Sequence, residues 1–197
     1  FKGKFLIKDA NYKNTDKSVF ISAEAIETDN YKTFGYKSNK TGISFGTNFE
    51  YLDDFFIGIG NSNFYEKIET NSSASARQQA QEGDYIDLFL NLAFTLDKRD
   101  QKFQPSDGFV STFYQSVPLN VQDNQTLINS YEIKNYYEYF DDLVTSISIY
   151  GKAANSLGED DVRISNRLYL PSNKYSFSKI SQICELLISF PVSSASF

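Results

Sequence analysis

Histidine is absent from this sequence of 197 residues, and cysteine occurs once, at Cys184. Without histidine, neither a Ser-His nor a Cys-His nucleophile pair can form, and the commonest zinc ligand is missing. A single cysteine cannot close an internal disulfide or supply a cluster of thiolate ligands. We therefore expect no catalytic residue, no metal site and no cofactor, and we interpret the chain as a non-enzyme.

Arginine and proline are scarce as well. There are 4 prolines, and the arginines are Arg77, Arg99, Arg163 and Arg167. The net charge is −6 and the sequence pI is about 4.7, so the basic face that nucleic-acid binding requires is not expected. Aromatic residues are abundant, with 18 Phe and 14 Tyr, and this composition favours strands over helices.

No apolar run is long enough for a membrane helix. The longest, around residues 183–192, contains Glu185 and Pro191 and falls short of the roughly 18 residues that such a helix needs. The N-terminus shows no signal-peptide pattern, but the chain opens on Phe1, as a fragment would, so this says little about its compartment. If the chain lies in a membrane, we expect it to cross as strands.

The segment "DYIDLFLNLAFTL", residues 84–96, alternates apolar and polar side chains at the period of a β-strand. Ile86, Leu88, Leu90 and Leu92 share one face, while Asp87 and Asn91 are on the other. The segment "TGISFGTNFEYL" repeats this alternation. Eight strands are predicted, near residues 1–8, 17–28, 41–52, 55–68, 84–96, 109–118, 126–140 and 143–152.

The connections alternate between short and long. The pairs Asp53–Asp54 and Asp141–Asp142 predict tight turns, whereas residues 29–39, 70–84 and 153 onward predict long loops. Antiparallel strands with short turns at one end and long loops at the other are typical of transmembrane barrels, whose strands alternate apolar-out and polar-in. A soluble β-sandwich also alternates, since one face meets the core and the other meets water, and it stays the alternative fold.

The connection "LDKRDQKFQPSDGF" interrupts this alternation with charge, a proline and a glycine. It resembles the periplasmic turn of the bacterial surface antigen family, the barrel domain of outer-membrane assembly factors. In that family a strand ends in Leu-Asp and runs through an Arg-rich turn and an aromatic residue to a Pro-Ser/Thr-x-Gly sequence. The matching positions here are Asp97, Arg99, Asp100, Phe103, Pro105, Ser106, Asp107 and Gly108. We interpret these residues as structural, since Pro105 fixes φ and Gly108 can take a positive φ.

Two further segments resemble the same family. "VRISNRLYLPSNK", residues 162–174, is similar to the segment that leads into the long extracellular loop folded back into the barrel, and Arg163, Arg167 and Pro171 mark it. "KDANYKNTDKS", residues 8–18, is similar to another periplasmic turn, with Ala10 where proline is common. The resemblance implies an all-β antiparallel transmembrane barrel, with this chain supplying about eight strands, the fourth to the eleventh, of sixteen.

The resemblance ends after residue 174. The family continues with an Arg-Gly-Phe motif whose Arg pairs inside the barrel, but here Lys174 is followed by Tyr175 and Ser176. We therefore divide the chain into a partial barrel domain, 1–174, and an atypical tail, 175–197, for which a frameshift or a truncated gene end is our hypothesis. Without that motif, inward folding of the loop is not predicted.

The resemblance implies a part of an assembly factor that folds and inserts other barrels into the bacterial outer membrane. Its implied partners are outer-membrane lipid, unfolded outer-membrane proteins and assembly-complex lipoproteins, with no nucleic acid. A secretion or translocation pore of the same superfamily and a soluble all-β binding module are the alternatives, and an outer-membrane enzyme is a more distant one. The acidic pairs, including Asp160–Asp161, are interpreted as turn residues.

Overall fold

The computed structural model describes residues 1–119, 125–140, 143–158 and 162–167, together with the path of the strand at residues 182–189. Pro171 and the pairs Asp141–Asp142 and Asp160–Asp161 lie outside the described residues. Within the described part of the chain, no helix is long and apolar enough to cross a membrane.

The described strands form one antiparallel sheet in which each strand pairs with its neighbours in sequence, in the order β1 to β9. The strands are β1 Lys2–Asp9, β2 Lys17–Asn30, β3 Tyr36–Leu52, β4 Phe55–Thr70, β5 Gly83–Asp97, β6 Gly108–Pro118, β7 Thr126–Phe140, β8 Leu143–Ser156 and β9 Gln182–Ser189. The helical parts are a 3-10 turn at Tyr12–Asn14, a short helix α1 at Ala76–Gln79 and a 3-10 turn at Ile164–Asn166.

The strand count differs from the prediction in one respect. Eight strands were expected, and each is present, but a ninth, β9, pairs with β8 inside the tail that was predicted to be atypical. The connection predicted at residues 29–39 is shorter in the structure, because β2 and β3 stay paired as far as Asn30 and Tyr36. Cross-strand pairing extends both strands here, although most of the added residues are Asp, Asn and Lys, which are depleted in strands.

One face of the sheet is apolar and exposed. Cross-strand partners share a face, and the register places Ile21 opposite Phe45, and Ile59 opposite Leu92. Phe45 is 53% exposed, and Ile21, Ile43, Ile59 and Ile86 are similarly accessible. We call this the outer face.

The opposite face, which we call the inner face, is polar and more deeply buried. Ser22, Ser38, Ser62, Glu66 and Asp87 are all buried on it. A soluble sandwich would bury its apolar face and expose its polar one, so this distribution is reversed relative to that alternative. It matches the apolar-out, polar-in arrangement of a membrane barrel wall.

Glycines on the inner face make room for aromatic rings. A methyl group at Gly46 would approach Phe20 within 2.8 Å, and one at Gly42 would press on the Phe64 ring. These glycines do not mark bulges, because β3 and β4 pair in continuous register up to Glu50. The glycines instead let an aromatic side chain lie flat on the sheet.

Candidate functional site

Residues 162–167, which we call the strap, lie against the inner face of β3, β4 and β5. Val162, Arg163 and Ile164 are all buried there. Without the Arg-Gly-Phe continuation the sequence did not predict that this loop folds inward, and the structure shows that its described part, residues 162–167, does. Arg163 itself supplies an inward-reaching cation, although Ile164 and not glycine follows it.

Arg163 is held by two carboxylates from neighbouring strands. Its Nη1 lies 3.0 and 2.9 Å from the two carboxylate oxygens of Asp87 on β5, and 3.3 Å from Oε2 of Glu66 on β4. The guanidinium also stacks on the ring of Tyr85, 3.9 Å from the ring centroid. All three charged side chains are almost completely buried, so their attraction is only weakly screened by solvent.

Glu66 has further partners that fix its position. Ser38 on β3 donates a hydrogen bond of 2.6 Å to Oε1, and Ser165 of the strap donates one of 2.8 Å to Oε2. The Glu66 carboxylate therefore accepts hydrogen bonds from one strand hydroxyl, one strap hydroxyl and the Arg163 guanidinium. A buried carboxylate is tolerated only when it is paired and hydrogen-bonded in this way.

Lys40 completes the charge balance of the cluster. Its Nζ lies 3.7 Å from Oδ2 of Asp87 and 4.8 Å from the centroid of the Phe64 ring. Two cations thus face two carboxylates, Glu66 and Asp87. We call these four residues the Arg163 cluster. The only buried side-chain polar atom without a hydrogen-bond partner in the described residues is Nε of Arg163.

The charged groups of this cluster hold the strap in place against the sheet. Glu66 pairs with Arg163, and Asp87 pairs with both Arg163 and Lys40. Among the described residues there is no group of three or more His, Cys, Asp or Glu side chains suited to a metal ion. Because the partners come from a loop and from three strands, the cluster ties the strap to the wall. Removing one partner leaves a buried charge without compensation, which is strongly unfavourable.

The turn between β5 and β6 is the second site that the sequence singled out. Arg99 forms a bidentate ion pair with Asp97, with Nε–Oδ1 and Nη2–Oδ2 distances of 2.7 Å each. Lys98 reaches the neighbouring turn, where its Nζ lies 2.7 Å from Oδ2 of Asp54. The two turns are thereby joined at the same end of the sheet, and this hydrogen bond raises the pKa of Lys98.

Asp100 organises the second half of this turn. Its carboxylate accepts hydrogen bonds from the Ser106 hydroxyl at 2.8 Å and from the backbone N–H groups of Ser106 and Asp107. The Ser106 hydroxyl is the main reason that the pKa of Asp100 lies below its ordinary value. Gly108 has a φ of +93°, and a side chain there would press on the carbonyl oxygen of Lys98. Only glycine fits such a position without strain.

The remaining predicted turn residues have different surroundings. Pro105 is partly buried and directly follows Gln104, whose φ is +50°. Phe103 is 79% exposed, so it does not pack into the turn. Tyr51, Tyr137 and Tyr139 are also exposed, and they lie at the same end of the sheet as this turn. Aromatic side chains at such a rim are typical of the girdle of a membrane barrel.

The structure brings some predicted residues together and leaves others apart. Asp97 pairs with Arg99, and Arg163 and Arg167 both lie in the strap, where Arg167 Nε donates to the carbonyl of Val162 at 2.9 Å. The turn and the strap are at opposite ends of β5. Sequence analysis missed the partners of Arg163, namely Glu66, Asp87, Tyr85 and Ser38. The signal that could have identified Glu66 and Asp87 is a charged residue on the polar face of an alternating strand.

Comparison with known proteins identifies the family. Residues 4–174 match the model of the Omp85 superfamily domain. The structure is similar to the crystal structure of BamA from Haemophilus ducreyi lacking POTRA domains 1–3, with a TM-score of 0.64 and 13% sequence identity. The match covers 85% of this chain and 35% of that one, so the chain spans about a third of that protein's length. Comparison with curated protein sequences gave no match.

The likeness in structure confirms the predicted fold class, an antiparallel transmembrane β-barrel of which this chain forms a part. The sheet is open among the described residues, as a partial barrel requires, because β1 and β9 do not pair with each other. The reversed burial of apolar and polar side chains has the same explanation. Since the family model covers residues 4–174, the chain belongs to the Omp85 superfamily.

Proposed function

We propose that the chain is part of the barrel of an assembly factor, which folds other β-barrel proteins and inserts them into the bacterial outer membrane. Three observations support this. The chain belongs to the Omp85 superfamily, its fold is similar to that of BamA, and its apolar face points outward as a lipid-facing wall does. The reversed burial is the observation on which the proposal chiefly depends, because it makes the chain a membrane wall.

The mechanism of the parent protein follows from the physics of a strand edge. An edge strand presents unpaired N–H and C=O groups, and an incoming strand pairs with them by β-augmentation. A barrel seam that opens in the membrane offers such an edge to a substrate strand. In this proposal β1 to β8 are strands four to eleven of the parent barrel, so the seam strands belong to other parts of the parent. The chain contributes the wall opposite the seam and the strap that is fastened to it.

The partners of the parent protein follow from the same role. Unfolded outer-membrane proteins are the substrates, outer-membrane lipid surrounds the apolar face, and assembly-complex lipoproteins are the accessory partners. No cofactor or covalent step is needed, because pairing of strands and burial of apolar side chains in lipid supply the free energy of insertion.

The test is depletion of the full-length protein in the organism that carries it. We expect several unrelated barrel proteins to disappear together from the outer membrane, measured by quantitative mass spectrometry of that fraction. If instead one secreted protein accumulates inside the cell while barrel levels stay constant, the protein is a secretion pore and our proposal is wrong.

The chain alone should not insert substrates, because it cannot close a barrel. Liposomes containing residues 1–197 should convert an added unfolded barrel protein to its protease-resistant form no faster than empty liposomes. Liposomes that contain the full-length protein serve as the positive control. Faster conversion by the isolated chain would refute this part of the proposal.

A further inference from the structure

Residues 71–82, the connection between β4 and β5, form an ordered loop with its own hydrogen bonds. Ser75 caps α1 by accepting from the Gln78 N–H, and the Gln78 side chain accepts from the Ser75 N–H at 2.9 Å. The side chain of Asn71 accepts from the Ser73 N–H at 2.8 Å and donates to the carbonyl of Tyr31 at 3.0 Å. The loop is thus fixed to the neighbouring 31–35 turn.

This loop reaches the strap at a buried point. The Ile164 N–H donates a hydrogen bond of 2.9 Å to the side-chain oxygen of Gln81, which is only 5% exposed. The carbonyl of Gln81 accepts a hydrogen bond of 2.9 Å from the Tyr85 hydroxyl, and the Tyr85 ring stacks on Arg163. One glutamine therefore touches the strap directly and also positions the ring that supports its arginine.

Packing on the other side of the strap is incomplete. A cavity of about 430 Å³ borders the strap towards β2 and the start of β3. Its lining includes Ile26, Tyr36, Glu66, Gln78, Ile164 and Arg167. A segment that borders a cavity loses close contacts on that side. The strap is consequently held by directional hydrogen bonds and ion pairs on the β4–β5 side, where Gln81 and the Arg163 cluster are the fastenings.

We propose that the loop 71–82 is a clasp for the strap. The strap leaves the inner face only when this loop lifts, because Gln81 covers the Ile164 backbone and holds Tyr85 beneath Arg163. Access along the inner face from the loop end is then controlled by a surface loop rather than by the strap alone. The proposal concerns the coupling of two loops, and it does not depend on which substrates the barrel serves.

The test measures strap release by proteolysis of the full-length protein in lipid vesicles. Trypsin should cut after Arg163 and Arg167 only when the strap is released, and when opening is fast the rate follows the population of the open form. Arg77, an exposed residue of the loop, is replaced by Gln in every protein compared, so that trypsin does not cut the loop itself. Gln81→Met keeps the side-chain length but removes the acceptor oxygen. Loss of one buried hydrogen bond should accelerate cutting at these two positions by about tenfold.

Gln115→Met is the matched control, because it makes the same substitution outside the loop and the strap, where the Gln115 side chain donates a hydrogen bond of 2.8 Å to Asn129 between β6 and β7. It should be cut at the wild-type rate. Equal rates for wild-type protein and Gln81→Met would overturn the proposal, as would equal acceleration by both variants. Cutting after Lys40 and Lys67 within the strands reports general unfolding and separates it from strap release.

Hydrogen exchange of the wild-type protein gives a test that does not depend on a variant. If the loop must lift first, the Ile164 amide should exchange no faster than the amides of residues 78–82, which define the opening of the clasp. Faster exchange at Ile164 than in the loop would show that the strap leaves independently, and the proposal would then be wrong even if Gln81→Met failed to fold.

Discussion

Arg163 and Asp87 are 76 residues apart in the sequence, yet Nη1 of the arginine lies 3.0 and 2.9 Å from the two carboxylate oxygens of the aspartate. Glu66 shares the same guanidinium from the adjacent strand. The contact links a loop beyond β8 to the middle of the sheet, so three distant parts of the chain depend on one another for charge balance.

Replacement of Arg163 by alanine should destabilise the full-length protein strongly. Glu66 and Asp87 would remain buried with only Lys40 nearby, and breaking a buried ion pair typically costs about 3–5 kcal/mol. Denaturant unfolding in lipid vesicles, followed by tyrosine fluorescence, measures the loss. Arg163→Ala combined with Glu66→Gln and Asp87→Asn should recover part of it. If the triple variant is as unstable as the single one, the charge argument is wrong.

The identity of the lipid-facing side can be tested with two adjacent positions on β3. Phe45→Lys places a charge on the outer face, and Ser44→Lys places it on the inner face. A lysine facing the middle of a bilayer costs about 2–4 kcal/mol. Folding yield in vesicles should therefore fall for Phe45→Lys much more than for Ser44→Lys. The reverse order would show that Phe45 faces water, as it would in a soluble sandwich.

Gly108→Ala should weaken the turn between β5 and β6. An alanine at a φ of +93° is strained, and its methyl group would also press on the Lys98 carbonyl, so a loss of about 1–3 kcal/mol is expected. Gly3→Ala is the control, because its added methyl group meets only the Phe1 ring at 3.4 Å. Unfolding midpoints of both variants are compared with wild type, and equal midpoints for the two would contradict the prediction.

Asp100 should make the stability of the turn depend on acid pH. The Ser106 hydroxyl lowers the pKa of Asp100 in the folded protein. The stabilisation is therefore fully present above the unfolded value of about 3.9 and is lost as the pH falls through the lower folded value. Asp100→Asn keeps one acceptor oxygen but does not titrate. The stability difference between wild type and this variant should shrink on acidification below pH about 4, and a constant difference would argue against the pKa shift.

The strands were predictable because their signal is local. In residues 84–96 the alternation of Ile86, Leu88 and Leu90 with Asp87 and Asn91 defines both the extended backbone and its two faces. The turn at residues 97–108 was predictable for the same reason, since Asp100, Pro105 and Gly108 act on backbone only a few residues away. The expected loop at 29–39 failed because cross-strand pairing extended both strands beyond the clear alternation.

The alternation and turn chemistry of the sequence by themselves determined a meander of antiparallel strands with one apolar and one polar face. Only the tertiary structure decided that the apolar face is the exposed one, and that Arg163 meets Glu66, Asp87 and Tyr85. Alternation gives two faces but not which of them faces the surroundings, and the partners of a buried charge depend on strand register and loop path. Those are set by contacts between residues up to 99 positions apart, which no local pattern encodes.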